Sequence, residues 1–295
     1  MNIFAVDAGG TAIKHALVNE QGQIMAKDSF PTPRNSLKEL LTGLQAAAEY
    51  YQQEFGALAG AGFSFPGSVD EKLGTIHNIV ALPYLKEIPL SQDLSAALGL
   101  RVAIENDANC AALGENWTGA ARAARDVCFI VCGTGVGGAL LHDGEVLHGK
   151  HFLCGELGFM RLPPAGRVLD REGSVSGLVQ RVAQEKGLPA GSLDGEKVFA
   201  LAEQGDIIAK KQIDYMYRAL AYGIVNAQYL FDPDIFLIGG AISACPYFVP
   251  SLKGHVMDLI GEVPAVAVEP DIVACQHGND ANLLGAARHF LQAAI

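Results

Sequence analysis

The chain has no cysteine pair in CxxC spacing, no excess of basic residues, and no apolar run approaching the roughly 18 residues of a membrane span. Each absence narrows what it can be. The six cysteines, Cys110, Cys128, Cys132, Cys154, Cys245 and Cys275, sit mostly in apolar stretches and read as reduced core residues, not metal ligands or redox pairs. With 21 Lys and Arg against 32 Asp and Glu, a net charge of -11 repels polyanions and removes nucleic acid from the expected partners. The opening MNIFAVDAGG carries no basic n-region and no small-residue cleavage site, so the expectation is a cytoplasmic protein with no membrane partner. Linkers, low-complexity tracts and charge blocks are also missing. At 50% hydrophobic and 18% charged, the composition excludes long disordered tails, and the chain is expected to fold throughout.

What is present is an order of short strands and glycine turns that occurs twice. Apolar runs at Asn2 to Val6, Ile13 to Val18 and Gln23 to Phe30, broken by turn residues, predict a β-meander. Ser36 is placed to cap a helix whose apolar residues from Leu37 to Phe55 keep helical spacing, and strands follow at Leu58 to Phe65 and Arg101 to Glu105. The pattern restarts with a strand from Asp126 to Cys132, the glycine turn Gly133 to Gly138, and a strand from Ala139 to Leu141. A long helix is expected over Ile207 to Leu230, a strand over Ile235 to Ile238, and a last helix over Asn282 to Ala294. At 295 residues two lobes are expected. The restart places one at 1–117, joined by the terminal helix 282–295, and the other at 118–281.

Two turns carry the chemistry of phosphate binding. In Asp7-Ala8-Gly9-Gly10-Thr11 the glycines let backbone N–H groups approach phosphate oxygens, and Thr11 adds a hydroxyl donor. Asp7 suits a magnesium ion or its waters, and Lys14 either neutralises phosphate charge or is a solvated strand residue. An ordinary hairpin turn is the bland reading of this motif. In Gly133-Thr134-Gly135-Val136-Gly137-Gly138, four glycines in six positions exceed what a plain hairpin needs. The P-loop pattern GxxxxGK[ST] is missing, and no helix follows at once as a dinucleotide fold requires.

DAGGT, IENDANCAALGE (104–115), GTGVGG, CGELG (154–158) and DPDIFLIGGAIS (232–243) stand in one order along nearly the whole chain. Together they resemble the ROK family of sugar kinases and repressors, within the actin, hexokinase and heat-shock ATPase superfamily. The resemblance implies a two-lobed α/β, actin/hexokinase-like (duplicated ribonuclease H-like) fold, with Mg-ATP and sugar meeting in the cleft, and a homodimer. It makes Asp107 the general base; on the residues alone, an Asp at a strand-to-helix junction is also a common N-cap. Asn106 and Glu156 correspond to sugar-hydroxyl ligands, Asn78 matches a further sugar contact loosely, and Gly239, Gly240 and Ala241 correspond to the turn beside adenosine.

The chain departs from the family where many members bind structural zinc. The histidine that follows the glycine-glutamate pair in those members is replaced by Phe159 in Gly155-Glu156-Leu157-Gly158-Phe159, and the following RLPPAGRVLDREGSVSG has no cysteine. Cys154, His148 and His151 do not restore the pattern, so no zinc site is expected. Counting back from Ser176-Gly177 puts Glu172 at the family's sugar-contacting glutamate. Phe159 either fills core space or stacks on a sugar ring or aglycone. Zinc-free members with an aromatic here resemble bacterial β-glucoside kinases, acting on the 6-hydroxyl of cellobiose and related glycosides; glucokinase and N-acetylmannosamine kinase are the competing activities. A sugar-responsive regulator is disfavoured, since only six residues precede Asp7 and the charge is acidic.

Overall fold

The computed structural model describes residues 1–163 and 166–293. Two compact units emerge from the contacts: Met1–Ala123, Gly144–Cys154 and the chain from Asn279 onward form the first, and Ala124–Asp143 with Gly155–Gly278 the second. The segment 144–154 thus groups with the first unit, although the sequence assigns it to the second lobe.

In chain order the elements are β1 (Asn2–Ala8), β2 (Ala12–Asn19), β3 (Ile24–Pro31), α1 (Leu37–Phe55), β4 (Leu58–Phe65), β5 (Ser68–Asp70), β6 (Thr75–His77), α2 (Leu90–Leu98), β7 (Val102–Asn106) and α3 (Asp107–Thr118). There follow β8 (Val127–Cys132), β9 (Val136–His142), β10 (Glu145–Val146), β11 (Arg161–Leu162), β12 (Arg167–Val168), α4 (Leu169–Glu172), α5 (Val175–Glu185), α6 (Gly195–Glu203) and α7 (Ile207–Phe231). Last come β13 (Ile235–Gly239), α8 (Phe248–Gly261), β14 (Ile272–Ala274) and α9 (Ala281–Gln292). The expected extension of the last helix to Ala294 lies outside the described residues. No helix among them is long and apolar enough to cross a membrane.

The first unit's sheet runs β3-β2-β1-β4-β7, with β1 antiparallel to β2 and parallel to β4. The second unit repeats the scheme: β8 is antiparallel to β9 and parallel to β13, which is parallel to β14. A hairpin joined to parallel strands therefore occurs in each, as the restart of the pattern suggests. Strand β1 is apolar on both faces because both are covered. Phe4, Val6 and Ala8 pack with Leu40, Leu44 and Tyr51 of α1, while Ile3 and Ala5 pack with Leu283, Leu284, Ala287 and Phe290 of α9. Helix α1 starts where expected: Ser36 Oγ accepts the Glu39 N–H at 3.1 Å.

Helix α9 lies close against the sheet and α3 because glycines face it. A Cβ at Gly62 would stand 2.0 Å from the Ala286 carbonyl oxygen, and one at Gly114 2.3 Å from that of Ala281. The second glycine turn is shorter than its letters suggest, for Gly137 and Gly138 belong to β9. Close packing accounts for Gly138, where a Cβ would meet the Gly155 oxygen at 2.7 Å.

Candidate active site

In the first unit the pleat and register assemble a polar row. Lys14, Asp7, Ser64 and Glu105 are abreast across β2, β1, β4 and β7, so their side chains share the sheet face covered by α9. Asp7 is buried, and its carboxylate accepts from Lys14 Nζ at 3.2 Å, Ser64 Oγ at 3.1 Å and Asn282 Nδ2 at 3.0 Å. Lys14 is therefore an ion-pair partner of Asp7, with its side chain still 42% exposed. Gly9 and Gly10 turn the chain beside this row, with the Gly9 N–H donating to the Ala12 carbonyl at 3.1 Å and Thr32 Oγ1 donating to the Gly9 carbonyl at 2.6 Å. Thr11 lies on the same turn, and its carbonyl accepts the Thr32 N–H at 3.1 Å.

At the end of β7 the chain turns into α3. Asn106, not Asp107, is the N-cap: its Oδ1 accepts the Asn109 N–H at 3.1 Å. Its Nδ2 donates to the Gly67 carbonyl and to Asp107 Oδ1, both at 3.0 Å. Both amide protons are thus committed, and a lone pair of Oδ1 remains for a hydroxyl donor. Asp107 is the first helical residue, half-buried, and its Oδ1 also accepts the Ala108 N–H at 2.9 Å. Asn78 follows β6 exposed and in the left-handed region, at φ 53°.

Glu105, inside the motif but without a role in the sequence reading, is 1% exposed. Its Oε1 accepts from the Asn106 N–H at 2.6 Å and Asn109 Nδ2 at 2.9 Å, and its Oε2 lies 2.6 Å from His148 Nε2. Burial alone would raise this carboxyl. The hydrogen bond from His148, with the charges of His289 and His148 and the Asn109 bond, outweighs burial and holds it below the usual carboxylate range.

In the second unit the two glycine motifs converge on Cys132. Its carbonyl oxygen would be 2.1 Å from a Cβ at Gly240, which has φ 90°, and it is followed directly by Gly133. Gly133, Thr134 and Gly135 form the turn, closed by the Gly133 N–H to the Gly135 carbonyl at 2.9 Å. Asp170 Oδ1 accepts the Val136 N–H at 2.9 Å, and the Gly133 carbonyl accepts the Val175 N–H at 3.0 Å. Gly239 ends β13, and Ala241 opens a 3-10 turn. Beside Val175, a cavity of about 790 Å³ is lined by Ser176, Val179, Gln180, Leu188 and Asp194 among others.

Glu156 precedes the 3-10 turn Leu157–Phe159, and partial burial raises its carboxyl above the ordinary range. Phe159 is 70% exposed, which removes the core-filling reading. Glu172 ends α4, and its Oε2 accepts from Tyr215 Oη at 2.7 Å. Arg181 Nη1 lies 3.7 Å from the same oxygen, and Arg167 Nη1 donates to Tyr215 Oη at 2.6 Å. Tyr215, Arg181, Asp170 and Asn282 carry no local sequence signal, because each is recruited from a separate helix.

Residues 3–293 match the ROK family. A β-glucoside kinase of Listeria monocytogenes is 34% identical over 298 residues, covering 99% of this chain and 98% of the relative. A ROK family protein from Streptococcus pneumoniae in complex with sucrose is 35% identical, with a TM-score of 0.90 over 100% of this chain and 99% of that one. A ROK family glucokinase from Streptomyces griseus, in complex with glucose and AMPPNP, is 26% identical with a TM-score of 0.73, covering 97% and 98%. The α/β fold is accordingly of the actin/hexokinase-like type. From its first strand to its last helix, this chain belongs to the ROK family.

Proposed function

We propose that this ATP-dependent sugar kinase transfers the γ-phosphoryl group of ATP to the 6-hydroxyl of a β-glucoside, with cellobiose as the representative acceptor. Phe159 carries the reading: an exposed aromatic, three residues from the half-buried Glu156, stands where zinc-binding members of the family have a histidine. An aromatic face suits the apolar face of a second sugar ring or an aglycone. Relatives 31% to 34% identical over nearly the full chain are β-glucoside kinases, which supports the same acceptor class.

In this reading Asp107 accepts the proton of the acceptor hydroxyl as that oxygen bonds to the γ-phosphorus and the bond to ADP breaks, giving sugar phosphate, ADP and a proton. Asn78, Asn106, Glu156 and Glu172 hold sugar hydroxyls. The turns at Gly9 to Thr11 and Gly133 to Gly138 receive the phosphates, Lys14 adds positive charge, and the adenosine end lies by Gly239 to Ala241 with the cavity beside Val175 receiving it. Asp7 fits an outer-sphere magnesium role: three hydrogen bonds to its two oxygens leave lone-pair capacity for a metal-bound water. Magnesium, when bound, neutralises charge on the transferring phosphates. The remaining work, positioning and desolvation, is the protein's own.

Two measurements test the reading. A coupled ADP-release screen across glucose, cellobiose, salicin and N-acetylmannosamine is expected to give the highest kcat/KM for cellobiose or salicin. A clear preference for free glucose or N-acetylmannosamine overturns the acceptor assignment. In the same assay Phe159→Ala raises KM for cellobiose about tenfold, the scale of one lost stacking contact, and changes that for glucose little. Zinc has no place in the proposed site; one stoichiometric zinc per purified chain by metal analysis contradicts this. We place the enzyme in the cytoplasm, as a homodimer by family resemblance, which light scattering tests.

A further inference from the structure

Two histidines of the first unit each face the same two carboxylates. His148 has Nε2 2.6 Å from Glu105 Oε2 and Nδ1 3.9 Å from Glu71 Oε1. His289, on α9, has Nδ1 3.8 Å from Glu105 Oε2 and Nε2 3.9 Å from Glu71 Oε2. Carboxylate and imidazole alternate around a closed ring. Glu105 and His289 are buried, and a buried carboxylate left unbalanced is costly. Protons on the imidazoles or a cation would balance the charge. Ligand atoms of Glu71, Glu105 and His289 lie within 4.8 Å of one another, yet Glu105 Oε2 is already in hydrogen-bond contact with His148 and Oε1 has two donors. A cation would have to displace one of these bonds, whereas protons fit the ring as it stands.

Besides the direct bond of Glu105 to the Asn106 N–H, one loop joins the ring to the stretches assigned to the sugar. The His148 carbonyl accepts the Cys154 N–H at 3.2 Å, closing a loop that presents Phe152. The Phe152 ring stacks on His77 at 6.2 Å and 28°, and lies 6.5 Å from the His148 ring. His77 precedes Asn78, and Glu105 precedes Asn106 and Asp107. The loop from His148 to Cys154 therefore braces both stretches.

We infer that His148 is a positioning residue: as an imidazolium it holds Glu105 ionised, and Glu105 in turn fixes the Asn106 N–H, so that Asn106 and Asp107 present one geometry to the acceptor. The inference rests on the reading of Asp107 as the base. The groups acting on His148 are Glu105 from β7 and Glu71 and Lys72 from the segment after β5, while His289 from α9 faces the same two carboxylates. Burial works to lower the His148 imidazole, but the bond to Glu105 and the charges of Glu105 and Glu71 outweigh burial and Lys72, and raise it above the ordinary range. A raised imidazole keeps its proton below its folded-state pKa and loses it as pH rises through that value. Loss of positioning therefore belongs to the alkaline side.

The test compares wild type with His148→Gln, which keeps a donor and removes the charge. In wild type, kcat for the best acceptor falls as His148 deprotonates. In His148→Gln, kcat at neutral pH is lower by about tenfold, the scale of a partial misplacement, and the alkaline fall is lost while KM for ATP holds. Proton NMR of the His148 ring is expected to show a titration above the ordinary imidazole range in wild type and in Asp107→Asn, and a lower one in Glu105→Gln. A wild-type pH profile in folded His148→Gln overturns the inference, as does a His148 ring titrating at or below the ordinary range. Stoichiometric Mn²⁺ binding without nucleotide, abolished in His289→Asn, also overturns it in favour of a cation. An active Asp107→Asn variant sinks the base assignment alone, since the NMR titration stands independently of turnover.

Discussion

Asp107→Asn is expected to lower kcat by at least about a hundredfold while KM for sugar and ATP changes little. The substitution preserves shape and acceptor: an asparagine Oδ1 can take the Ala108 N–H bond that Asp107 Oδ1 accepts at 2.9 Å. It removes basicity. A neutral side chain in the first turn of α3 gives up a favourable dipole interaction of about 0.3–1 kcal/mol, too little to unfold a domain. Unchanged circular dichroism with collapsed turnover therefore separates chemistry from folding. The expected loss exceeds that for His148→Gln because, in the proposed mechanism, Asp107 meets the transferred proton directly, and His148 acts through Glu105 and the Asn106 backbone. Should Asp107→Asn keep kcat within tenfold of wild type in the ADP-release assay, the base lies elsewhere.

The parts of this site legible in the sequence are those encoded locally. Ser36 capping α1, the turn at Gly9-Gly10, and the strand-to-helix junction at Asn106-Asp107 each depend on a few adjacent residues, and each occurs where the letters put it. Registry was harder to read. The row Lys14, Asp7, Ser64, Glu105 exists only once four strands are aligned, and it decides that Lys14 is paired. Strand alternation from Ile104, which faces the α1 side, would have turned Glu105 to the other face and marked a carboxylate there as needing a partner. Its partner was beyond reach of pattern, since His148 stands 43 residues away. The glycines misled in one respect. Gly138 meets the approach of Gly155, and Gly240 that of Cys132, so the glycine content reflects packing between chain segments as well as room for phosphate.

Gly285→Ala is expected to be the more damaging of two glycine-to-alanine changes in helices, costing about 3 kcal/mol of stability. An added Cβ would stand 1.6 Å from the Cys110 carbonyl oxygen of α3 and 2.3 Å from its carbon. These are backbone atoms that no rotamer change can clear, so α9 must move off α3 or the crossing must open. The comparison is Gly254→Ala in α8, where a Cβ meets nothing within 4 Å and helix propensity favours alanine by about 0.8–1 kcal/mol. The same methyl group thus has opposite signs at two helical sites, and urea unfolding of the two variants measures the difference. The Gly285 substitution also reaches function. Helix α9 carries Asn282, which bonds Asp7, and His289, which faces Glu105, while α3 begins at Asp107. Parting the two helices shifts all three groups together, so kcat falls in the protein that remains folded. A Gly285→Ala variant as stable as wild type would mean that α9 can slide on α3 without cost, and the close crossing would then not fix the site.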